Sequence, residues 1–146
     1  MDDFIELIYI MPSQPTEKPK ADISIITDYD QRYLGIISRI FKKRMRVNDL
    51  NDILDAGGNI AAYWHKGRLV GALVWTWSED GGEILHIGFK KKLRGKGFGG
   101  VLMNYAIYII STKDDYIGGL PFGVKVGGNA QAFFEKYGFS RMLTQV

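Results

Sequence analysis

The sequence predicts an α/β domain on a mixed sheet. Three observations point there. Strand-like and helix-like apolar periods alternate along the chain, two apolar runs are joined by a tight-turn signal, and a basic, glycine-rich stretch separates a strand pattern from a helix pattern. Phe4–Ile10 has strand-like composition. The polar stretch after it carries Pro12, Pro15 and Pro19, which prevent regular structure. Residues 1–20 are therefore read as an amino-terminal arm and Pro-rich linker, and 21–146 as the domain. Ile23–Thr27 reads as a strand. Thr27, three before Asp30, is a capping pattern, and Leu34, Ile37, Ile40 and Phe41 follow at helical spacing. A short helix fits Asn48–Ala56, stopped by Gly57 and Gly58. Ile60–Trp64 and Leu69–Trp77 flank His65-Lys-Gly-Arg68 and form a hairpin. Glu83–Phe89 is the next strand. Simple alternation puts Glu83, Leu85, Ile87 and Phe89 on one face, with Ile84, His86 and Gly88 on the other. A helix runs from the glycine-rich loop to about Thr112. Pro121–Val126 is a strand, Asn129–Tyr137 a helix and Phe139–Val146 a last strand.

Composition narrows the function. The chain has 146 residues, 46% hydrophobic and 24% charged, which suits one globular domain with a sizeable core. It has no cysteine, which excludes disulfides, thiol nucleophiles and Cys-ligated zinc. Its two histidines, His65 and His86, lie on separate segments, so no metal site is expected. The N-terminus opens on Asp2 and Asp3 and no apolar run is long enough to span a bilayer, so a cytoplasmic protein without membrane contact is expected. The net charge is only +3. The cations gather in two stretches, Arg39–Arg46 and Lys90–Lys96. Nucleic acid is not expected as a partner, because a basic run is as often a solvated face.

Arg94-Gly-Lys-Gly-Phe-Gly-Gly100 lies after a strand and opens a helix. A helix start presents unpaired N–H groups and the positive end of the helix dipole, and glycine permits close approach to the backbone. With cations beside it, this segment calls for a phosphate or pyrophosphate ligand. A Walker A run is absent. Gly95-x-Gly97-x-x-Gly100 matches a dinucleotide fingerprint, but the basic stretch before it and the short remaining chain disfavour a doubly wound sheet.

The loop resembles the acyl-CoA signature of the GNAT superfamily of N-acetyltransferases, as Arg94-Gly-Lys-Gly97-Phe-Gly99. Ala130-Gln-Ala-Phe-Phe134-Glu-Lys-Tyr-Gly138-Phe139 resembles the family's second motif. The resemblance covers roughly residues 21–146. It implies a mixed, mostly antiparallel central sheet with splayed strands and helices on both faces. It also implies acetyl-CoA as cosubstrate, wedged between Glu83–Phe89 and Pro121–Val126. Its pyrophosphate would lie on Arg94, Gly95, Lys96, Gly97, Phe98, Gly99 and Gly100. Backbone at Ile87, Gly88 and Phe89 would hold the pantetheine arm, with the Ile87 N–H polarising the thioester carbonyl. Asn129 and Phe134 complete the implied cofactor contacts.

The acceptor would be an amine on a small molecule or a protein. An alkyl amine has a pKa of about 10.4 and is almost wholly protonated at pH 7, a handicap of roughly 4–5 kcal/mol that a general base lowers. The resemblance makes Glu83 that base, eleven residues before Arg94. His86 is the rival. Many family members carry a tyrosine acid where Phe134 stands, and their asparagine is Gly127 here. These departures leave a second reading, a non-catalytic GNAT-fold module that binds CoA or a protein. The 1–20 arm could cross to a second subunit and make a homodimer.

Overall fold

In a computed structural model, residues 5–10, 20–27, 31–42, 44–78, 81–93, 97–111, 121–126, 131–136 and 139–141 are described. The elements are β1 (Ile5–Ile10), β2 (Asp22–Ile26), α1 (Gln31–Ile40), α2 (Val47–Asp55), β3 (Asn59–His65), β4 (Arg68–Ser78), β5 (Gly81–Phe89), a 3-10 turn (Lys91–Leu93), α3 (Phe98–Ser111), β6 (Pro121–Val126), α4 (Gln131–Lys136) and β7 (Ser140–Arg141). The order matches the one read from sequence. Ends differ by a residue or two, because caps and pairing set them more than periodicity does. Asp30, in the expected capping pattern, lies outside the described residues, as do 142–146 of the expected last strand.

Seven strands form one sheet in the order β2-β3-β4-β5-β6-β1-β7. Every neighbouring pair is antiparallel except β5 and β6, which run parallel and are joined through α3. The hairpin between β3 and β4 turns on Lys66 (φ 51°) and Gly67 (φ 75°). Two successive left-handed residues match the right-handed twist of the strands, which explains the Lys-Gly pair. The amino-terminal strand does not hang free. β1 pairs with β6 from Ile5↔Val126 to Ile10↔Pro121, and with β7 at Leu7↔Arg141 and Ile8↔Ser140.

The sheet has a core on each face. On one, Leu34, Ile37 and Phe41 of the α1 segment and Leu50 of α2 pack on Ile60, Ala72 and Val74. On the other, Leu102, Met103 and Ala106 of α3, with Phe134 of α4, pack on Leu73, Trp75 and Ile84. α2 begins with the Arg46 N–H donating to Asp49 Oδ2 at 2.8 Å, which satisfies one helix-end group. The helical period of α1 buries Leu34 and Ile37 completely and leaves Arg39 outside.

A bulge in β5 changes the expected alternation. Val74 faces His86 but Trp75 faces Ile84, so Leu85 is extra. Ile84 belongs to the α3-side core, whereas Leu85 packs on the α1 side. His86 also lies on the α1 side, with its ring 4.3 Å from that of Phe41. Glu83, one before Ile84 and opposite Thr76, consequently shares the α1/α2 face with His86 instead of opposing it. Strict alternation fails here because the extra residue resets the phase of everything after it.

Candidate active site

β5 and β6 are hydrogen-bonded only over Gly82↔Phe122, Glu83↔Gly123 and Ile84↔Val124. Beyond Ile84 the ladder between them ends, while β5 continues to Phe89 and β6 to Val126. The two strands therefore splay. The direction of the β5 backbone follows from one bond at its end. The Lys90 N–H donates to Val70 O at 2.8 Å, toward β4. Amides alternate sides along a strand, so those of Phe89 and Ile87 are directed at the split. An extended chain lying there would find donors at the spacing of a β-ladder.

Glu83 stands at the closed end of this split, half-buried, in the last stretch where β5 still pairs with β6. At the open end the chain passes through the 3-10 turn and starts α3. Gly97, just before α3, has φ 83°, and a Cβ there would meet nothing within 4 Å. This position needs glycine for its backbone and has open space beside it. The positive end of α3 faces the same space. Gly99 is glycine for another reason. A Cβ there would lie 2.6 Å from Phe133 Cε1, so its bareness lets α3 approach α4.

A family model for the acetyltransferase (GNAT) domain matches residues 56–141, more than half of the chain. The chain belongs to the GNAT acetyltransferase family. Solved structures of GNAT proteins have the same fold. One from Novosphingobium aromaticivorans, assigned to the GNAT family, superposes with a TM-score of 0.72 at 15% identity, over 95% of this chain and 59% of its own. A GNAT-family acetyltransferase from Colwellia psychrerythraea gives 0.69 at 14%, over 97% and 54%. A ribosomal-protein-alanine N-acetyltransferase from Brucella melitensis gives 0.63 at 16%, over 86% and 96%. The chain thus spans less than two thirds of the length of the first two. No curated protein matches it by sequence.

The remaining GNAT signature positions are distributed as follows. Arg94, Gly95, Lys96 and Asn129 lie outside the described residues. Phe98 opens α3 and Gly100, two residues on in its first turn, is buried. Gly88 faces α1, where a Cβ would lie 2.8 Å from Phe41 Cδ1. Phe134 is 3% exposed, edge-on to Phe133 and Phe139 at 5.2 and 5.5 Å. Its ring packs α4 onto the core. Of the hairpin aromatics, Tyr63 and Trp75 are core residues, and Trp64 is half-buried with its indole N–H donating to Ser24 Oγ at 2.9 Å. Among the described residues, no helix is long and apolar enough to cross a membrane.

Burial, and after it the charge of Arg44, holds the His86 pKa below its ordinary value of 6.5. The ring is neutral at pH 7. Its folded pKa is lower than its unfolded one, so its contribution to stability is complete above pH 6.5 and is lost as pH falls through the folded value. Urea midpoints should accordingly drop as pH falls below about 6.5, and His86→Gln should flatten that drop. An identical slope in the variant would assign the acid sensitivity to other groups.

Proposed function

We propose that this chain transfers an acetyl group from acetyl-CoA to a primary amine by direct attack, with Glu83 as general base. The observation that carries the reading is the split between β5 and β6, with two β5 amides directed into it and the glycine turn of α3 at its open end. These residues suit the cosubstrate. Its pantetheine arm is a chain of amides that can pair with the Ile87 and Phe89 backbone. Its pyrophosphate suits the start of α3 around Gly97, Gly99 and Gly100, with Arg94 and Lys96 nearby in sequence. When bound, acetyl-CoA supplies an acetyl group activated as a thioester.

The chain's own part is then orientation and proton transfer. The Ile87 N–H donates to the carbonyl oxygen where negative charge develops. The Glu83 carboxylate accepts the ammonium proton, directly or through one water, so that the neutral amine is the attacking species. Glu83 projects to the α1/α2 face, so the amine approaches from there. Phe134, a buried hydrocarbon ring, donates no proton. A thiol of pKa about 8.5 leaves tolerably without an acid. A polypeptide lysine or N-terminus is our preferred acceptor. The ribosomal-protein-alanine N-acetyltransferase with the same fold is in line with it. We read 21–146 as the acetyltransferase domain, with the 1–20 segment adding a strand to its sheet.

The test is calorimetric titration with acetyl-CoA, followed by CoA release with a panel of amines and peptides. Gly97→Val should weaken uptake by about tenfold or more, because a β-branched residue is strained at φ 83° and fills the phosphate space. Failure of the wild-type protein to take up acetyl-CoA would overturn the proposal. Uptake without turnover on any acceptor would leave the binding-module reading in its place.

A further inference from the structure

Folding joins basic residues that the sequence keeps apart. On the α1 side of the sheet, a cleft of about 850 Å³ runs between α1, the β3–β4 turn and the end of β5. Arg32, Arg39, Lys42, Arg68, Lys90 and Lys91 line it. They come from three separate stretches of the chain. Among the described residues that line it there is no Asp or Glu. Six cations around one cleft repel each other, and with no carboxylate among the described lining residues their field is directed at whatever enters. Its size falls in the range of ligand clefts.

Its walls are aromatic and aliphatic as well as charged. Tyr33 and Trp64 meet edge-on with centroids 5.1 Å apart. The Trp64 bond to Ser24 holds the indole in place, and the Arg32 guanidinium sits 4.6 Å over the Tyr33 ring while donating to a tyrosine hydroxyl, that of Tyr33, at 2.7 Å. Leu69 and Ile36 add apolar floor. A rim of arginines and lysines around fixed aromatic rings suits phosphates joined to planar bases. Acidic peptides would use the cations and leave the rings idle. Duplexes keep their bases stacked inside and would meet only the rim.

We propose that this cleft binds a short single-stranded segment of nucleic acid, its phosphates on Arg39, Arg68 and Lys90 and an unstacked base against Tyr33 and Trp64. The cleft lies on the sheet face opposite α3. Of the residues that line it, Phe89 also borders the split proposed for acetyl-CoA, while the cations and the Tyr33 and Trp64 rings have no part in that reading. A protein acceptor already carried on RNA would be brought to the α1/α2 face, where Glu83 projects.

Fluorescence anisotropy with a labelled single-stranded RNA of about ten uridines tests this. Binding at about 50 mM salt should weaken steeply as salt rises, with log K falling against log [salt] by about 0.7 for each phosphate neutralised. The doubly substituted Arg39→Ala, Arg68→Ala protein changes only exposed side chains and should fold normally by circular dichroism. It should bind at least about tenfold more weakly with a shallower salt slope, while acetyl-CoA uptake stays unchanged. No binding at low salt overturns the proposal. Equal affinity for a duplex of the same length overturns the single-strand assignment. Displacement of the RNA by polyglutamate as readily as by unlabelled RNA moves the cleft to acidic peptides. Displacement by CoA makes it part of the cofactor site.

Discussion

Replacing Glu83 with Gln is expected to lower kcat by about 10²- to 10⁴-fold, the usual contribution of a positioned general base, while acetyl-CoA affinity stays within about twofold. The expectation comes from where the residue stands. Glu83 pairs with Thr76 on one side and Gly123 on the other, in the last rungs before β5 and β6 part. Its carboxylate is on the α1/α2 face because the bulge at Leu85 resets the alternation, while the amides directed into the split come from the residues beyond it. The amide form keeps the shape and removes the proton acceptor. CoA release measured across pH separates this role from a structural one. The deficit of the variant should narrow at high pH, where the amine deprotonates without help. A variant with the wild-type rate and pH profile would remove Glu83 from the mechanism. If His86→Gln alone reproduced the predicted profile, the base would be the neutral imidazole on the same face.

Leu7→Pro should destabilise the protein by about 3 kcal/mol, a large share of the roughly 5–15 kcal/mol that holds a domain together. Leu7 is flanked by two ladders, Val124 of β6 on one side and Arg141 of β7 on the other. Proline has no N–H, so one ladder loses a donor and a carbonyl inside the sheet loses its partner. A drop in the urea midpoint at unchanged slope would report the effect. Unchanged stability would mean that the amino-terminal strand is not part of the sheet. The prediction also bears on catalysis. β1 holds the outer side of β6, and β6 is one wall of the split, so the variant should also bind acetyl-CoA more weakly.

Residues close in the chain explain what could be read in advance. Leu34, Ile37 and Phe41 fall on one side at helical spacing, and they are buried. Lys66-Gly67 marks a two-residue hairpin, and both residues have positive φ. Strand, basic loop and glycines in succession mark the start of a helix, and α3 begins at Phe98. Each of these depends on a few neighbouring residues and on the geometry of a single turn, strand or helix. Phe134, a cofactor contact by the family resemblance, is a core residue whose ring lies against Phe133 and Phe139.

Other features had no local signal. Nothing in Phe4–Ile10 says that the strand lies between β6 and β7, whose residues are more than a hundred positions away in the chain. A single inserted residue at Leu85 moved Glu83 to the face of His86, and its cause is the pairing of β5 with β4, not the composition of β5. Arg39 and Lys42 of one basic stretch meet Lys90 and Lys91 of the other, with Arg32 and Arg68, only because α1 lies across the sheet beside the β3–β4 turn. Periodicity tells a residue which side of its own element it occupies. Which elements become neighbours, and in what register, is settled by long-range pairing and by the joint packing of two cores. In this protein the glycine-rich entry to α3 belongs to the first kind of information, and the surroundings of Glu83 and of the cationic cleft to the second.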